Sequence, residues 1–172
     1  MEIIEILKIG LPAILVLITA YLLIDKLLKS EEKRRNFELT KQNISILTPI
    51  RLRAYERLML VLERTSPANL IVDLINPEMT NGDLHTILLK TIRKEFSHNL
   101  SQQLYVSDEI WNFIRSAQES LVKLVNTCSS KCNPLNSATE LAEIIIQVYN
   151  SSDQTPTEMA IAKLKSEVRV LF

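Results

Sequence analysis

The sequence feature that most constrains the fold is an uninterrupted apolar run near the amino terminus. Residues Ile9–Ile24 read IGLPAILVLITAYLLI, sixteen residues without a charge. As a helix rising about 1.5 Å per residue, this run spans roughly 24 Å, a little short of the ~30 Å hydrocarbon core of a bilayer. Leucines extend the run on both sides, and Lys8 and Lys26 flank it with stems that let their charges reach the headgroups. The run predicts a transmembrane helix over residues 3–28, which would contact the lipid bilayer.

Two other interpretations of this run are weaker. A cleaved signal peptide has a basic leader and a small-residue cleavage site, whereas this leader carries Glu2 and Glu5, and leucines soon follow Ala20. A helix buried in a soluble core seldom begins a chain with so long an uncharged run. We therefore expect residues 1–28 to be a membrane anchor.

The charges that flank the anchor predict its orientation. One lysine precedes the apolar run, whereas the residues that follow it include Lys26, Lys29, Lys33, Arg34, Arg35 and Lys41. Lysine and arginine concentrate on the cytoplasmic side of membrane helices. The sequence therefore predicts a single-pass protein whose carboxy-terminal body lies in the cytoplasm.

The residues after the anchor predict a helical body. Residues 29–47 are polar and contain no helix breaker, which predicts a helical stalk, and residues 48–172 predict a compact bundle of five or six helices. Apolar residues recur there at three- and four-residue spacing, and no segment alternates as a strand does. The predicted helices cover about residues 49–64, 68–75, 80–104, 107–128, 138–149 and 156–171. The expected fold class is all-α.

Local signals predict where some of these helices begin and how deeply one is buried. Thr48-Pro49 offers an N-cap followed by proline at the first helical position. Ser137–Glu140 and Thr155–Glu158 both match the capping-box pattern. Leu58–Leu62 are five consecutive apolar residues, and such a run points all round a helix. The helix that contains them is expected to be buried on more than one side.

Composition excludes several classes of function. The only two glycines, Gly10 and Gly82, cannot build a Walker loop, a Rossmann fingerprint or a nucleophile elbow. Twenty basic and twenty acidic residues cancel to a net charge of zero, which argues against a nucleic-acid partner. We therefore expect neither nucleotide-dependent chemistry nor DNA or RNA binding.

Few side chains offer metal-binding or acid–base chemistry. Glu95 and His98 form one Glu-x-x-His pattern, whereas di-iron bundles use two such patterns and two further carboxylates. His85 lies on the same predicted helix but points about 140° away from His98. Cys128 and Cys132 have no nearby third or fourth zinc ligand, and a cytoplasmic body favours free thiols over a disulfide. No metal or cofactor is expected, and the role of the two cysteines stays open.

One charged helix is the candidate interaction surface. It surrounds a tyrosine with basic and acidic residues: Arg51, Arg53, Tyr55, Glu56, Arg57, Glu63 and Arg64. These charges either form ion pairs on solvated faces or lie at an interface with another protein, since buried charges need partners. This helix is the place where the sequence points to a functional surface.

Two segments resemble a known family. They are RLRAYERLMLVLERTSPANL, residues 51–70, and HNLSQQLYVSDEIW, residues 98–111. They resemble a family of small single-pass membrane proteins of Bacteroidota that has no assigned activity, and the resemblance covers roughly residues 47–127. The resemblance implies a bacterial inner-membrane setting and an all-helical cytoplasmic domain, and it brings no catalytic residues.

The sequence predicts a non-enzymatic function. We expect a membrane-anchored helical scaffold or an accessory subunit of an inner-membrane complex that binds a protein partner, with self-association left open. The alternative is a small helical-bundle enzyme in which Glu95 and His98 act as acid and base. A deep polar pocket at these two residues would favour the enzyme, and a flat apolar or charged patch would favour the scaffold.

Overall fold

Helices account for most of the structure. The computed structural model describes the backbone of residues 2–152 and 154–171 and the side chains of residues 14–152 and 154–170. Over this part of the chain there are six α-helices and no β-strand, so the all-α prediction is confirmed. The α-helices are α1 (Glu2–Arg64), α2 (Pro67–Leu74), α3 (Asn81–His98), α4 (Asp108–Ser129), α5 (Ala138–Asn150) and α6 (Pro156–Leu171). A 3-10 helix, Leu100–Leu104, lies between α3 and α4.

The chain divides into two units, residues 1–48 and residues 49–172. In the first unit, the apolar side chains from Ile14 to Leu28 are exposed, and so are Phe37 and Leu39 in the predicted stalk. The predicted transmembrane span covers residues 3–28, and the side chains of residues 3–13 lie outside the described residues. Among the described residues, no helix contains a long enough apolar stretch to cross a membrane.

The helix boundary predicted at Thr48-Pro49 is wrong, because α1 continues through both residues to Arg64. A proline inside a helix removes the hydrogen bond to the carbonyl four residues earlier, here that of Ser45. Ser45 and Pro49 are both exposed, so water can hydrate the carbonyl that loses its partner. The helix therefore continues through the position at which the sequence indicates a cap.

The core of the second unit is built from one face of each helix. α4 packs against α3, α5 and α6, and α3 also packs against α2 and α5. Its largest fully buried side chains are Leu58, Leu62, Leu84, Leu88, Ile92, Ile114, Leu141, Ile145 and Leu164. Burial of each large aliphatic side chain contributes about 1.5–3 kcal/mol, which makes this shared core the main source of the unit's stability.

The apolar run in α1 is buried on one face only. Leu58, Val61 and Leu62 are buried, whereas Leu60 is 51% exposed. The prediction that this segment is buried on more than one side is therefore wrong. The face that carries Leu60 instead borders open surface.

The long apolar stripe predicted from residue 84 to residue 104 does not form one helix. α3 ends at His98, where Asn99 donates its side-chain amide to the carbonyl of Glu95 at 2.9 Å. Because the chain then tightens into the 3-10 helix, Leu100 and Leu104 are 56% and 78% exposed. A side-chain cap at the helix end thus overrides the apolar periodicity.

Helices α3 and α5 begin side by side around one buried asparagine. Asn81, 1% exposed, donates its amide to the carbonyl of Asn133 at 2.8 Å and to the carboxylate of Glu140 at 2.9 Å. Its side-chain oxygen accepts the backbone N–H of Leu141 at 3.1 Å. One side chain therefore joins the start of α3, the loop before α5 and the first turn of α5.

The capping signals are only partly realised. At α6, Thr155 and Glu158 exchange both hydrogen bonds of a capping box, at 2.9 and 3.2 Å, as predicted. At α5, Ser137 caps the helix, but Glu140 accepts hydrogen bonds from the amides of Asn81 and Asn136. The full capping box predicted there is wrong because the carboxylate of Glu140 serves the junction with α3.

Candidate interaction surface

The structure divides the predicted charged surface into an inner and an outer part. Tyr55 is buried, 2% exposed, and Arg51 beside it is half-buried. The other five residues are exposed: Arg53, Glu56, Arg57, Glu63 and Arg64. The inner pair belongs to the body's own packing, and the outer five remain available to solvent.

The inner pair belongs to a hydrogen-bond network that joins three helices. Arg51 donates to the carbonyl of Tyr105 at 3.1 Å and to the hydroxyl of Tyr55 at 3.2 Å. The hydroxyl of Tyr55 donates to the carboxylate of Glu167 at 2.5 Å. Glu167 also accepts from the hydroxyl and the backbone N–H of Ser107, the N-cap of α4. The network thus connects α1, the start of α4 and α6.

The network fixes the charge states of its members. Partial burial alone would raise the pKa of Glu167, but the hydrogen bonds from Ser107 and Tyr55 and the charge of Arg51 outweigh it and hold that pKa below its usual value. Burial, reinforced by the hydrogen bond to Glu167, raises the pKa of Tyr55. Glu167 is therefore an ionised acceptor and Tyr55 a neutral donor at neutral pH.

An apolar groove lies directly beside this network, between α1 and α6. It has a volume of about 560 Å³, and its walls are almost entirely apolar. The α1 wall carries Leu52, Tyr55, Met59 and Leu60, and the α6 wall carries Leu164 and Val168. Leu52 and Leu60 are 39% and 51% exposed. Exposed apolar surface gathered in a concave site is typical of a docking site.

Charges of opposite sign line the two sides of this apolar groove. Glu56 lies on the α1 side, and Lys165 and Arg169 lie on the α6 side. All three side chains are exposed, and none has an oppositely charged partner within 4.0 Å among the described residues. An occupant with acidic residues toward α6 would therefore match the groove electrostatically.

A separate polar cleft lies between α1 and the end of α3. Its volume is about 280 Å³, and its polar lining residues are Arg57, Arg64, Glu95, His98 and Asn99. The structure thus brings the predicted Glu-x-x-His pattern together with two residues of the predicted charged surface. Glu95 is half-buried, and His98 is exposed.

His85 and the two cysteines make local contacts within the body. His85 bonds through Nε2 to the side-chain oxygen of Asn126 at 2.9 Å. Cys128 is buried and Cys132 half-buried, both as free thiols, and Cys132 donates to the carbonyl of Cys128 at 3.4 Å. Burial raises the pKa of both thiols, which lowers their reactivity. Within the described residues, no three potential ligands lie close enough to hold a metal ion.

Sequence reasoning missed the α6 half of the apolar groove. Val168 and Lys165 lie more than a hundred positions from the α1 wall, and no local pattern joins such distant residues. One available signal was the run Leu58–Leu62, which contains more apolar residues than one buried face needs. Two residues of this run, Met59 and the exposed Leu60, line the groove.

A family model covers almost the whole chain. Residues 1–171 match the model of a family of unknown function, DUF7935. The chain belongs to this family. Comparison with the curated proteins finds no match, and comparison with the solved structures finds none either. Membership agrees with the resemblance to a family without an assigned activity and adds no functional residue.

Proposed function

We propose that this DUF7935 member is a membrane-anchored docking module, without enzymatic activity, whose apolar groove binds an amphipathic helix of a protein partner. The observation that carries the proposal is the groove between α1 and α6, whose apolar walls stay open to solvent. Exposed leucines at a concave site do not stabilise a monomeric body, whereas a partner helix would bury them.

The charges at the groove specify the occupant. Lys165 and Arg169 on the α6 side attract acidic residues, and Glu56 on the α1 side attracts a basic one. The expected partner segment has apolar residues at three- and four-residue spacing, with acidic residues along one flank. A second copy of this chain is the other occupant that an experiment must distinguish.

A membrane anchor over residues 3–28 is the second part of the proposal. It is supported by the uncharged run Ile9–Ile24 and by the basic residues that follow it. Within this span, the described apolar side chains are exposed, for example Leu17 at 70% and Tyr21 at 72%, as lipid contact requires. Anchoring at the cytoplasmic face of the bacterial inner membrane would raise the local concentration of the module near membrane-bound partners.

One observation supports the enzyme alternative. Glu95 and His98 line the same polar cleft as Arg57 and Arg64, so an acid, a base and two cations face a common space. This hypothesis requires a substrate whose turnover is lost in both Glu95→Gln and His98→Asn, with binding retained. Turnover that survives both substitutions would exclude the cleft as its site.

Site-specific cross-linking tests the docking proposal. A photo-cross-linking amino acid replaces Leu52 in the groove, and in a matched control it replaces Val72, which is 75% exposed on α2. After irradiation of cells, mass spectrometry identifies the cross-linked peptide. The proposal predicts that only position 52 gives a specific cross-link. The cross-linked peptide should come from another protein and have the apolar spacing and acidic flank described above. A cross-link to a second copy, equal products from both positions, or no product from position 52 would contradict it.

A further inference from the structure

The polar cleft between α1 and α3 contains two arginines that form no ion pair with the described residues of the body. Among the described residues, neither Arg57 nor Arg64 has a carboxylate within 4.0 Å, although Glu95 lines the same cleft. Both arginines are exposed. The body therefore presents two unpaired guanidinium groups at one concave site.

The spacing of the two arginines lets them act together. Residues seven positions apart lie on the same face of a helix, about 10.5 Å apart along its axis. Long side chains from Arg57 and Arg64 can therefore converge on one group above Leu60, which lies between them in the cleft lining. Guanidinium groups offer paired N–H donors that match the oxygens of a phosphate.

The opposite wall of the cleft narrows the class of ligand. Glu95 lies there, half-buried, and an ionised carboxylate only accepts hydrogen bonds. The amide of Asn99 already donates to the Glu95 backbone carbonyl at 2.9 Å. A bare anion would be repelled by Glu95, whereas a ligand that carries a donor next to its phosphate would bond to it.

We propose that this cleft binds a phosphate ester that also carries an ammonium or hydroxyl group. Its phosphate lies between Arg57 and Arg64, and its donor group bonds to Glu95. Either a soluble phosphate ester or a phospholipid headgroup has this chemistry. The cleft and the apolar groove adjoin at Leu60, but the proposal does not rest on helix docking in that groove.

Calorimetry on the full chain in uncharged detergent micelles tests the proposal, with O-phosphoethanolamine and inorganic phosphate as probes. We expect saturable binding of O-phosphoethanolamine that is weakened about tenfold by Arg57→Gln and by Arg64→Gln, since each removes a charged hydrogen-bond donor. The control Arg115→Gln changes an exposed arginine of α4 and should leave binding unchanged. Glu95→Gln should remove the preference for O-phosphoethanolamine over inorganic phosphate.

Two further measurements locate the site and its source of ligand. On titration with O-phosphoethanolamine, the imidazole NMR signals of His98 should shift and those of His85 should not. The same titration is repeated in nanodiscs of phosphatidylethanolamine and in nanodiscs of phosphatidylcholine. Weaker binding of the soluble probe in phosphatidylethanolamine would support a lipid headgroup as the ligand, and equal binding in both would support a soluble ester. Absence of saturable binding, an equal effect of Arg115→Gln, or a shift at His85 alone would overturn the proposal.

Discussion

Replacement of the buried Asn81 by alanine should strongly destabilise the second unit. The side chain makes three hydrogen bonds, to the Asn133 carbonyl, the Glu140 carboxylate and the Leu141 N–H. At about 1 kcal/mol for each bond, the loss is about 3 kcal/mol. Domains of this size are stable by only about 5–15 kcal/mol, so the variant should remain folded but melt about 10 °C lower.

Asn136→Ala is the matched control for this prediction. Asn136 is exposed, and its amide donates to the same oxygen of Glu140 at 3.0 Å. Because water can replace an exposed hydrogen bond, its loss should cost less than about 1 kcal/mol. The two substitutions remove the same kind of side chain from the same carboxylate, so their difference measures the burial of Asn81 together with its two further hydrogen bonds, to the Asn133 carbonyl and the Leu141 N–H.

Equilibrium urea unfolding of the full chain measures both variants. The single tryptophan, Trp111, packs against the core of the second unit, so its fluorescence reports the unfolding of that unit. The midpoint for Asn81→Ala should fall with little change in slope. A cost below about 1 kcal/mol, or equal costs for the two variants, would refute the assignment of Asn81 as the junction of α3 and α5.

Three further predictions concern the network, the topology and the independence of the body. Because the pKa of Glu167 is lowered in the folded state, its contribution is present above the unfolded pKa of about 4.3 and is lost as the pH falls through the folded value. The difference in unfolding free energy between the native chain and Glu167→Gln should therefore shrink below about pH 4, and a difference independent of pH would contradict this. A reporter active only outside the cytoplasm, fused after Phe172, should stay silent, and strong activity would contradict the proposed topology. A fragment of residues 40–172 should give a helical circular dichroism spectrum with one cooperative thermal transition, and aggregation or non-cooperative melting would contradict its independence.

Helix identity in the second unit followed from sequence because local signals and the core pattern agree. α6 begins at the Thr155 cap, as its sequence indicates. The errors occurred where a longer-range or competing interaction decided the outcome. Glu140 accepts a hydrogen bond from Asn81 instead of completing the capping box of α5. The side chain of Asn99 caps the end of α3 within an apolar stripe.

The candidate surfaces were less predictable because each of them joins distant segments. The candidate residues of α1 were identified, but the buried Tyr55 among them bonds to Glu167, more than a hundred positions away along the chain. The polar cleft likewise combines Arg57 with His98, which the sequence treats as unrelated motifs. Local patterns indicate which face of a helix is buried. Only the packed structure shows which residues of other helices lie against that face.

The most direct test of the docking proposal compares two apolar-to-acidic substitutions. Leu52→Glu places a charge in the apolar groove, and Val72→Glu places the same charge on the exposed face of α2. The partner identified by cross-linking at position 52 is quantified after co-purification from solubilised membranes, with the melting temperature as a control for folding. The account predicts at least tenfold less partner with Leu52→Glu and an unchanged amount with Val72→Glu, since burial of a charge against the partner's apolar face costs more than about 1.4 kcal/mol. Full retention of the partner by Leu52→Glu, or equal loss from both variants, would contradict it.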